Sequence, residues 1–185
     1  MKHASRYPFS ISLLHWLLAA ALIGNLIIGW LLDDHEELIA LHKSIGVVIL
    51  ALALIRIANR LHMRRRLPPS INAPGSPSYF AEKAVHYLLL ALMLALPILG
   101  WLKTNAAGHV ANCFGVFSLP VLVDRNRALS HLFGELHALT AYGLATLIGL
   151  HVLAALAHRL MKAKNPLPRI SPLPRRPQLN RSAHK

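Results

Sequence analysis

Four long apolar stretches constrain this chain more than any other feature. They are Ile11–Leu32, Ile39–Ala58, Val85–Leu102 and Leu136–Leu156, each between 18 and 22 residues long. A helix rises about 1.5 Å per residue, so about 20 residues cross the ~30 Å hydrocarbon layer of a membrane. In lipid each segment must satisfy its own backbone hydrogen bonds, which favours helices. The pattern predicts an all-α integral membrane four-helix bundle; buried core helices of a soluble protein are the alternative.

The composition supports the membrane interpretation. The 185 residues are 55% hydrophobic and only 15% charged, yet the formal net charge is +13. Soluble domains average about 25% charged residues. A basic but apolar chain is typical of a membrane protein with basic ends, and not of a nucleic-acid-binding protein, whose charges coat a soluble surface. The single cysteine, Cys113, excludes an internal disulfide, a Cys-based zinc site and an iron–sulfur cluster.

The distribution of basic residues predicts the orientation. Of the 20 Lys and Arg residues, 16 fall on the side that would hold the N-terminus, the second loop and the C-terminal tail. The positive-inside rule then places both termini in the cytoplasm. The first stretch is read as a retained helix, because it is longer than the core of a signal peptide and is followed by Asp33 and Asp34.

The chain divides into a transmembrane domain, residues 1–164, and a basic, Pro-rich cytoplasmic tail, residues 165–185, which its composition predicts to be disordered near anionic headgroups. The longest outer connection, residues 103–132, is apolar enough to lie on the membrane surface. We expect it to form one short amphipathic helix there.

Histidines inside the apolar stretches carry the chemical signal. Ionisable residues at such depths are costly and indicate function, although a single His also serves helix packing through hydrogen bonds. His137 and His151 are 14 residues apart, nearly four turns, so both face one side of their helix about 21 Å apart. His42 matches the depth of His137, and His15 is nearest in depth to His151.

Each pair can place two imidazoles on opposite sides of one flat macrocycle, which is the ligand set of six-coordinate b haem. Zinc and di-iron sites need about four close ligands, and these helices carry no buried acidic pair. The sequence therefore predicts an outer haem on His42 and His137 and an inner haem on His15 and His151. Two haems stacked across a bilayer make an electron path. A haem-free helical scaffold is the alternative.

Several short motifs in order along the chain resemble the bacterial cytochrome b561 family. They are Leu14-His15-Trp16-Leu17, Leu41-His42-Lys43-Ser44-Ile45-Gly46, His86-Tyr87-Leu88, Leu96-Pro97-Ile98-Leu99-Gly100-Trp101, Glu135-Leu136-His137 and Gly149-Leu150-His151. The resemblance covers about residues 8–170. The ordered set is specific, whereas no single motif is.

This resemblance implies a four-helix bundle of the bacterial inner membrane with two b haems and with the same ligand pairs. It also implies exchange of electrons with quinone. One class of members is a superoxide oxidase, which passes electrons from periplasmic superoxide to ubiquinone. Other members are cytochrome subunits that anchor and serve a separate periplasmic redox protein, such as a hydrogenase or another dehydrogenase. We expect the first activity, with the relay subunit as the alternative.

Further polar residues lie near the two predicted haems. Lys43 follows His42 and is predicted to pair with haem propionates, unless it is a lysine that extends to the membrane surface. On the inner side, the candidates for a quinone site are His86, His158, Lys83 and Arg159, because a quinone carbonyl needs a hydrogen-bond donor and its reduction needs protons. Contact with lipid headgroups is the alternative for these four.

Finally, we expect an electropositive entrance for superoxide on the outer side of the membrane. Its candidates are Lys103, His109, Arg125 and Arg127. Electrostatic focusing in such an entrance can raise on-rates about tenfold or more. A solvated loop is the alternative.

Overall fold

All four apolar stretches are helices in the computed structural model, which describes residues 6–160 and 167–172. Helix α1 is Phe9–Leu31, α2 is Ile39–His62, α3 is Pro77–Ala106 and α4 is Arg127–Leu160. Each is long and apolar enough to cross a membrane. The prediction of an all-α membrane four-helix bundle is confirmed.

Helices α3 and α4 extend well beyond the apolar stretches that predicted them. Helix α3 begins after Ser76, whose hydroxyl accepts a hydrogen bond from the Tyr79 amide at 3.2 Å, and Pro77 occupies its first turn. Helix α4 has 34 residues, or about 50 Å, so its ends project past the hydrocarbon layer.

The four helices pack as two pairs joined through their middle members. Helix α1 packs on α2, α2 on α3, and α3 most extensively on α4, whereas α4 makes at most slight direct contact with α1 and α2. The buried core is apolar and draws on all four helices: Leu18, Leu22, Leu26, Ile49, Ala53, Met93, Leu96 and Leu144. Leu144 lies seven residues from both His137 and His151, so this core separates the two histidine layers.

At one end of the bundle the connection between α3 and α4 is a small hairpin. Its strands, β1 (Asn112–Cys113) and β2 (Phe117–Ser118), pair antiparallel. Phe114 and Gly115 between them have φ values of 51° and 74°. Two successive residues in the left-handed region reverse the chain, which a right-handed helix cannot do. The prediction of one short amphipathic helix in residues 103–132 is therefore wrong.

Hydrogen bonds fasten this hairpin to the helices beside it. The Phe114 amide donates to the Ser44 hydroxyl of α2 at 2.9 Å, and that hydroxyl donates to the Ala40 carbonyl at 2.9 Å. The Trp101 indole N–H donates to the Pro120 carbonyl at 3.1 Å. The hairpin thus covers the ends of α2 and α3, close to His42.

At the opposite end, residues 167–172 pack against the start of the chain. They include a short helical turn, Leu167–Ile170. The Tyr7 amide donates to the Arg169 carbonyl at 2.9 Å, and the Trp16 indole N–H donates to the Ile170 carbonyl at 3.1 Å. This end therefore gathers the N-terminal segment and the chain that follows α4.

The prediction of a disordered tail over residues 165–185 is wrong for residues 167–172, because backbone carbonyls there find donors on Arg6, Tyr7 and Trp16. Residues 161–166 and 173–185 lie outside the described residues, and so does most of the predicted tail. The boundary between residues 164 and 165 stays a prediction.

Replacing Leu144 with Ala tests the role of the central core. Its side chain is fully buried, so its removal leaves a cavity, and we expect a loss of about 2 kcal/mol or more in the free energy of unfolding. The measurement is denaturation of the purified protein in detergent. Leu139→Ala is the matched control, because Leu139 is 69% exposed on the same helix. Equal destabilisation by both changes would contradict the assigned core.

Candidate haem-binding site

His42 and His137 face each other across the space between the two helix pairs. Their ring centres are 6.2 Å apart, with the ring planes at 78°. An imidazole nitrogen lies about 1.2 Å from its ring centre and binds a first-row metal at about 2.0 Å, so two rings on opposite sides of one ion lie about 6 Å apart. The spacing of the outer pair therefore fits two histidines that would hold one haem iron between them.

The surroundings of His137 prepare its ring for this role. The Nδ1 atom donates a hydrogen bond to the Leu96 carbonyl of α3 at 2.9 Å. A carbonyl only accepts, so the proton lies on Nδ1 and the lone pair of Nε2 is free for a metal. A Cβ atom at Gly100, one turn further along α3, would lie 3.1 Å from Cε1 of His137. The glycine makes room for the ring.

His42 has a matching arrangement on α1. A Cβ atom at Gly29 would lie 3.1 Å from its Cε1 atom. Its Nδ1 atom is buried without a hydrogen-bond partner and faces the backbone of Asn25, four residues before Gly29. In each helix pair, the histidine ring lies against a glycine of the neighbouring helix. Its Nδ1 atom faces the backbone of the residue that lies one turn before that glycine. The two glycines leave room for the imidazole rings that would hold a haem.

The inner layer contains three histidines instead of two. The rings of His86 and His151 are 5.2 Å apart, edge to face at 87°, and His15 lies within electrostatic range of both. His86 donates from Nδ1 to the Glu82 carbonyl at 2.6 Å, which leaves its Nε2 atom free. The structure thus brings His15 and His151 into one layer and adds His86 directly beside His151.

The other predicted quinone-site residues are more dispersed. Lys83 holds its ammonium group 5.5 Å from the ring centre of Tyr79. His158 is half-buried and Arg159 is exposed near the end of α4. Over residues 6–160 and 167–172, no hydrogen bond or ion pair joins His86, Lys83, His158 and Arg159 to one another.

Two lysines lie close to the outer pair. Lys43, on α2, is within electrostatic range of His42. Lys103, on α3, is within range of both His42 and His137. Its aliphatic chain crosses α4 at Gly134, where a Cβ atom would lie 3.4 Å from Cε of Lys103. Sequence reasoning placed Lys103 in a loop, because the apolar run ends one residue before it.

Lys103 also lines a pocket of about 580 Å³ at the hairpin end. Arg125, Arg127, His131 and Glu135 contribute to the same pocket. Glu135 and His131 form an ion pair at 3.5 Å when the histidine is protonated. Three of the four residues predicted for an electropositive entrance, the Lys and two Arg, are therefore brought together. The fourth, His109, is exposed and is not part of the lining.

Comparison with known proteins identifies the family. The family model of prokaryotic cytochrome b561 matches residues 6–172. The chain belongs to the prokaryotic cytochrome b561 family. "Cytochrome b561 homolog 2" of Escherichia coli (strain K12) is 29% identical, over 89% of this chain and 90% of the relative. "Probable superoxide oxidase CybB" of Yersinia pestis is 31% identical, over 71% of this chain and 73% of the relative.

Membership of the cytochrome b561 family, together with the four membrane-spanning helices, makes the chain a multi-pass bacterial membrane protein that binds b haem. This confirms the predicted resemblance. The assignment of particular histidines, the number of haems and the quinone acceptor stay predictions.

Gly100→Leu tests the space beside His137. The larger side chain would displace the ring, so we expect loss of the outer haem and a fall of about half in the haem-to-protein ratio. The measurement is haem quantification on the purified protein. Gly24→Leu is the control, because a Cβ atom there meets nothing within 4 Å. Full haem content in Gly100→Leu would show that the glycine has no such role.

Proposed function

We propose that the chain is a di-haem b cytochrome that moves electrons from superoxide, at the hairpin end, to ubiquinone, near the opposite end. His42 and His137 hold the outer haem, and His15 and His151 hold the inner one. The observation that carries the proposal is the facing pair of His42 and His137, whose ring spacing of 6.2 Å suits two ligands of one iron. Bound b haem supplies one-electron chemistry.

The pocket at the hairpin end supports an anionic donor. Three fixed cations and one carboxylate line it, so its field attracts anions. Lys103 belongs both to this pocket and to the surroundings of His42 and His137. A small anion drawn into the pocket therefore arrives beside the outer pair. Lys43 is placed to neutralise a haem propionate there. The name of the Yersinia relative, a probable superoxide oxidase, agrees with superoxide as the donor.

The inner layer supports a quinone acceptor. His86 is exposed, has a free Nε2 atom and touches the ring of His151. An imidazole in that position can donate a hydrogen bond to a quinone carbonyl and deliver a proton during reduction. His158, Lys83 and Arg159 supply further donors on the same side of the bundle.

The charge distribution supports an orientation in the bacterial inner membrane with both termini in the cytoplasm. The N-terminal segment and residues 167–172 meet at the end of the bundle that also contains the Arg64–Arg66 turn. The positive-inside rule assigns such an end to the cytoplasm. Residues 1–164 then form the di-haem domain and residues 165–185 a basic cytoplasmic tail.

Haem counting on four variants tests the ligand assignment. His42→Ala and His137→Ala should each weaken or remove the outer haem, while His15→Ala and His151→Ala should each do so for the inner one, because each change takes away one of the two imidazoles that would hold that haem. Reduced-minus-oxidised spectra and haem quantification would show two matched pairs of variants. Loss of both haems in all four variants would contradict two independent sites. His35→Ala, in an exposed turn, is the control.

The donor is tested with purified protein and a superoxide source. We expect haem reduction, and reduction of added ubiquinone, without any partner protein. The double change Arg125→Glu and Arg127→Glu should slow the superoxide-driven reaction about tenfold and weaken its dependence on salt, because it reverses the field of the pocket. Arg64→Glu, at the other end, is the matched control. Haems that respond only to another redox protein would favour the relay-subunit function.

A further inference from the structure

Arg56 is a cation inside the second membrane-spanning helix. It lies six residues, about 9 Å, before the end of α2 and is half-buried. Within residues 6–160 and 167–172, its guanidinium group has no hydrogen bond or ion pair with the protein. A charged side chain at such a depth is costly and is almost always paired, so an unpaired arginine indicates a partner that the chain does not provide.

The groups around Arg56 include no carboxylate. It is within electrostatic range of His15 on α1 and His151 on α4, and of Arg60 and Tyr7 towards the helix end. Six of the seven acidic residues belong to the connections and helix ends on the hairpin side of the bundle: Asp33, Asp34, Glu36, Glu37, Asp124 and Glu135. The seventh, Glu82, accepts hydrogen bonds from Ser70 at 2.6 Å and Asn72 at 2.9 Å. Among the residues that the structure describes, no carboxylate pairs with Arg56.

We propose that Arg56 binds a propionate carboxylate of the inner haem. The inference rests on the proposed function, because it takes His15 and His151 as the ligands of that haem. A b haem carries two carboxylates on one edge, and Arg56 is within electrostatic range of both histidines that would hold it. A planar guanidinium group binds a carboxylate through two hydrogen bonds, and such bonds gain strength where water is scarce.

The outer layer offers an independent parallel. There Lys103 lies within electrostatic range of both His42 and His137, and it too has no ion pair in the described part of the chain. Each histidine layer therefore has one basic residue within electrostatic range. In the described part of the chain, that residue forms no ion pair with an acidic side chain. A lipid phosphate is the other anion that a guanidinium group at this depth would accept, and the experiment separates the two.

The test measures how fast the holoprotein, in detergent, loses its haems to excess apomyoglobin. In Arg56→Gln we expect one haem to leave roughly tenfold faster. The reason is that loss of a charge-assisted hydrogen bond weakens haem binding by about a factor of ten or more. The other haem should leave at its normal rate. Arg56→Lys, which keeps the charge, should show a smaller effect. Arg60→Gln is the matched control, one turn closer to the helix end.

The fast haem is identified by its spectrum, which should match the haem that is missing from His15→Ala. A reconstitution with haem b dimethyl ester, whose propionates are blocked, completes the test. The inner site of the wild type should hold the ester roughly tenfold less tightly than native haem, whereas the inner site of Arg56→Gln should hold both alike. If Arg56→Gln retains too little haem to measure, the test rests on two other measurements. They are the rate of haem loss from Arg56→Lys and the affinity of the wild type for the ester.

Equal haem loss from Arg56→Gln and Arg60→Gln would overturn the inference. So would unchanged haem loss together with a fall in tightly bound phospholipid phosphate per protein, which would assign Arg56 to a lipid headgroup. Failure of the proposed function has a different signature, because the wild-type protein would then lack the inner haem, or the histidine variants would not separate into two pairs.

Discussion

The meeting of His42 and His137 across the gap between the two helix pairs is the constraint on which the rest of the bundle depends. Helix α4 packs on α3 but hardly touches α1 and α2, so imidazoles span a space that side chains would otherwise fill. Under the proposed function, a haem held by His42 and His137 would occupy this space. Gly29 and Gly100 fix the rings at its edges. A bundle designed only for packing would have larger residues at these two positions.

Charge imposes the second constraint. The chain carries 20 Lys and Arg residues against 7 Asp and Glu residues, and most of its acidic residues belong to the hairpin side of the bundle. Within the described residues, Arg56 and Lys103 therefore lie beside the histidine layers without an ion pair. A charge in a low-dielectric region is tolerated when an opposite charge accompanies it. Under the proposed assignment, the carboxylates of a b haem would supply that charge at the depth of the histidines that would hold it.

The sequence predicts the parts of the structure that depend on local pattern. Helix positions follow from apolar runs, and the match of His42 with His137 follows from depth and the regular rise of a helix. The hairpin was missed because Val110–Phe117 is apolar enough for a helix, while its actual shape depends on Gly115 and on the distant Ser44 hydroxyl. The packing of residues 167–172 depends on Trp16, more than 150 residues away. Neither contact leaves a periodic signal.

The site was predictable to a similar degree and for similar reasons. Spacing along α4 places two histidines on one face, but only the fold brings His86 of α3 against His151. The two ends of the bundle also differ in a way that pattern alone does not show. At the hairpin end, cations surround a pocket that shares Lys103 with the outer pair. At the other end, three imidazoles lie beneath a segment bound to Trp16. Under the proposed function, the fixed cations at the hairpin end would attract an anionic donor, and His86 at the other end would donate a proton to the acceptor, so the two ends would suit different partners.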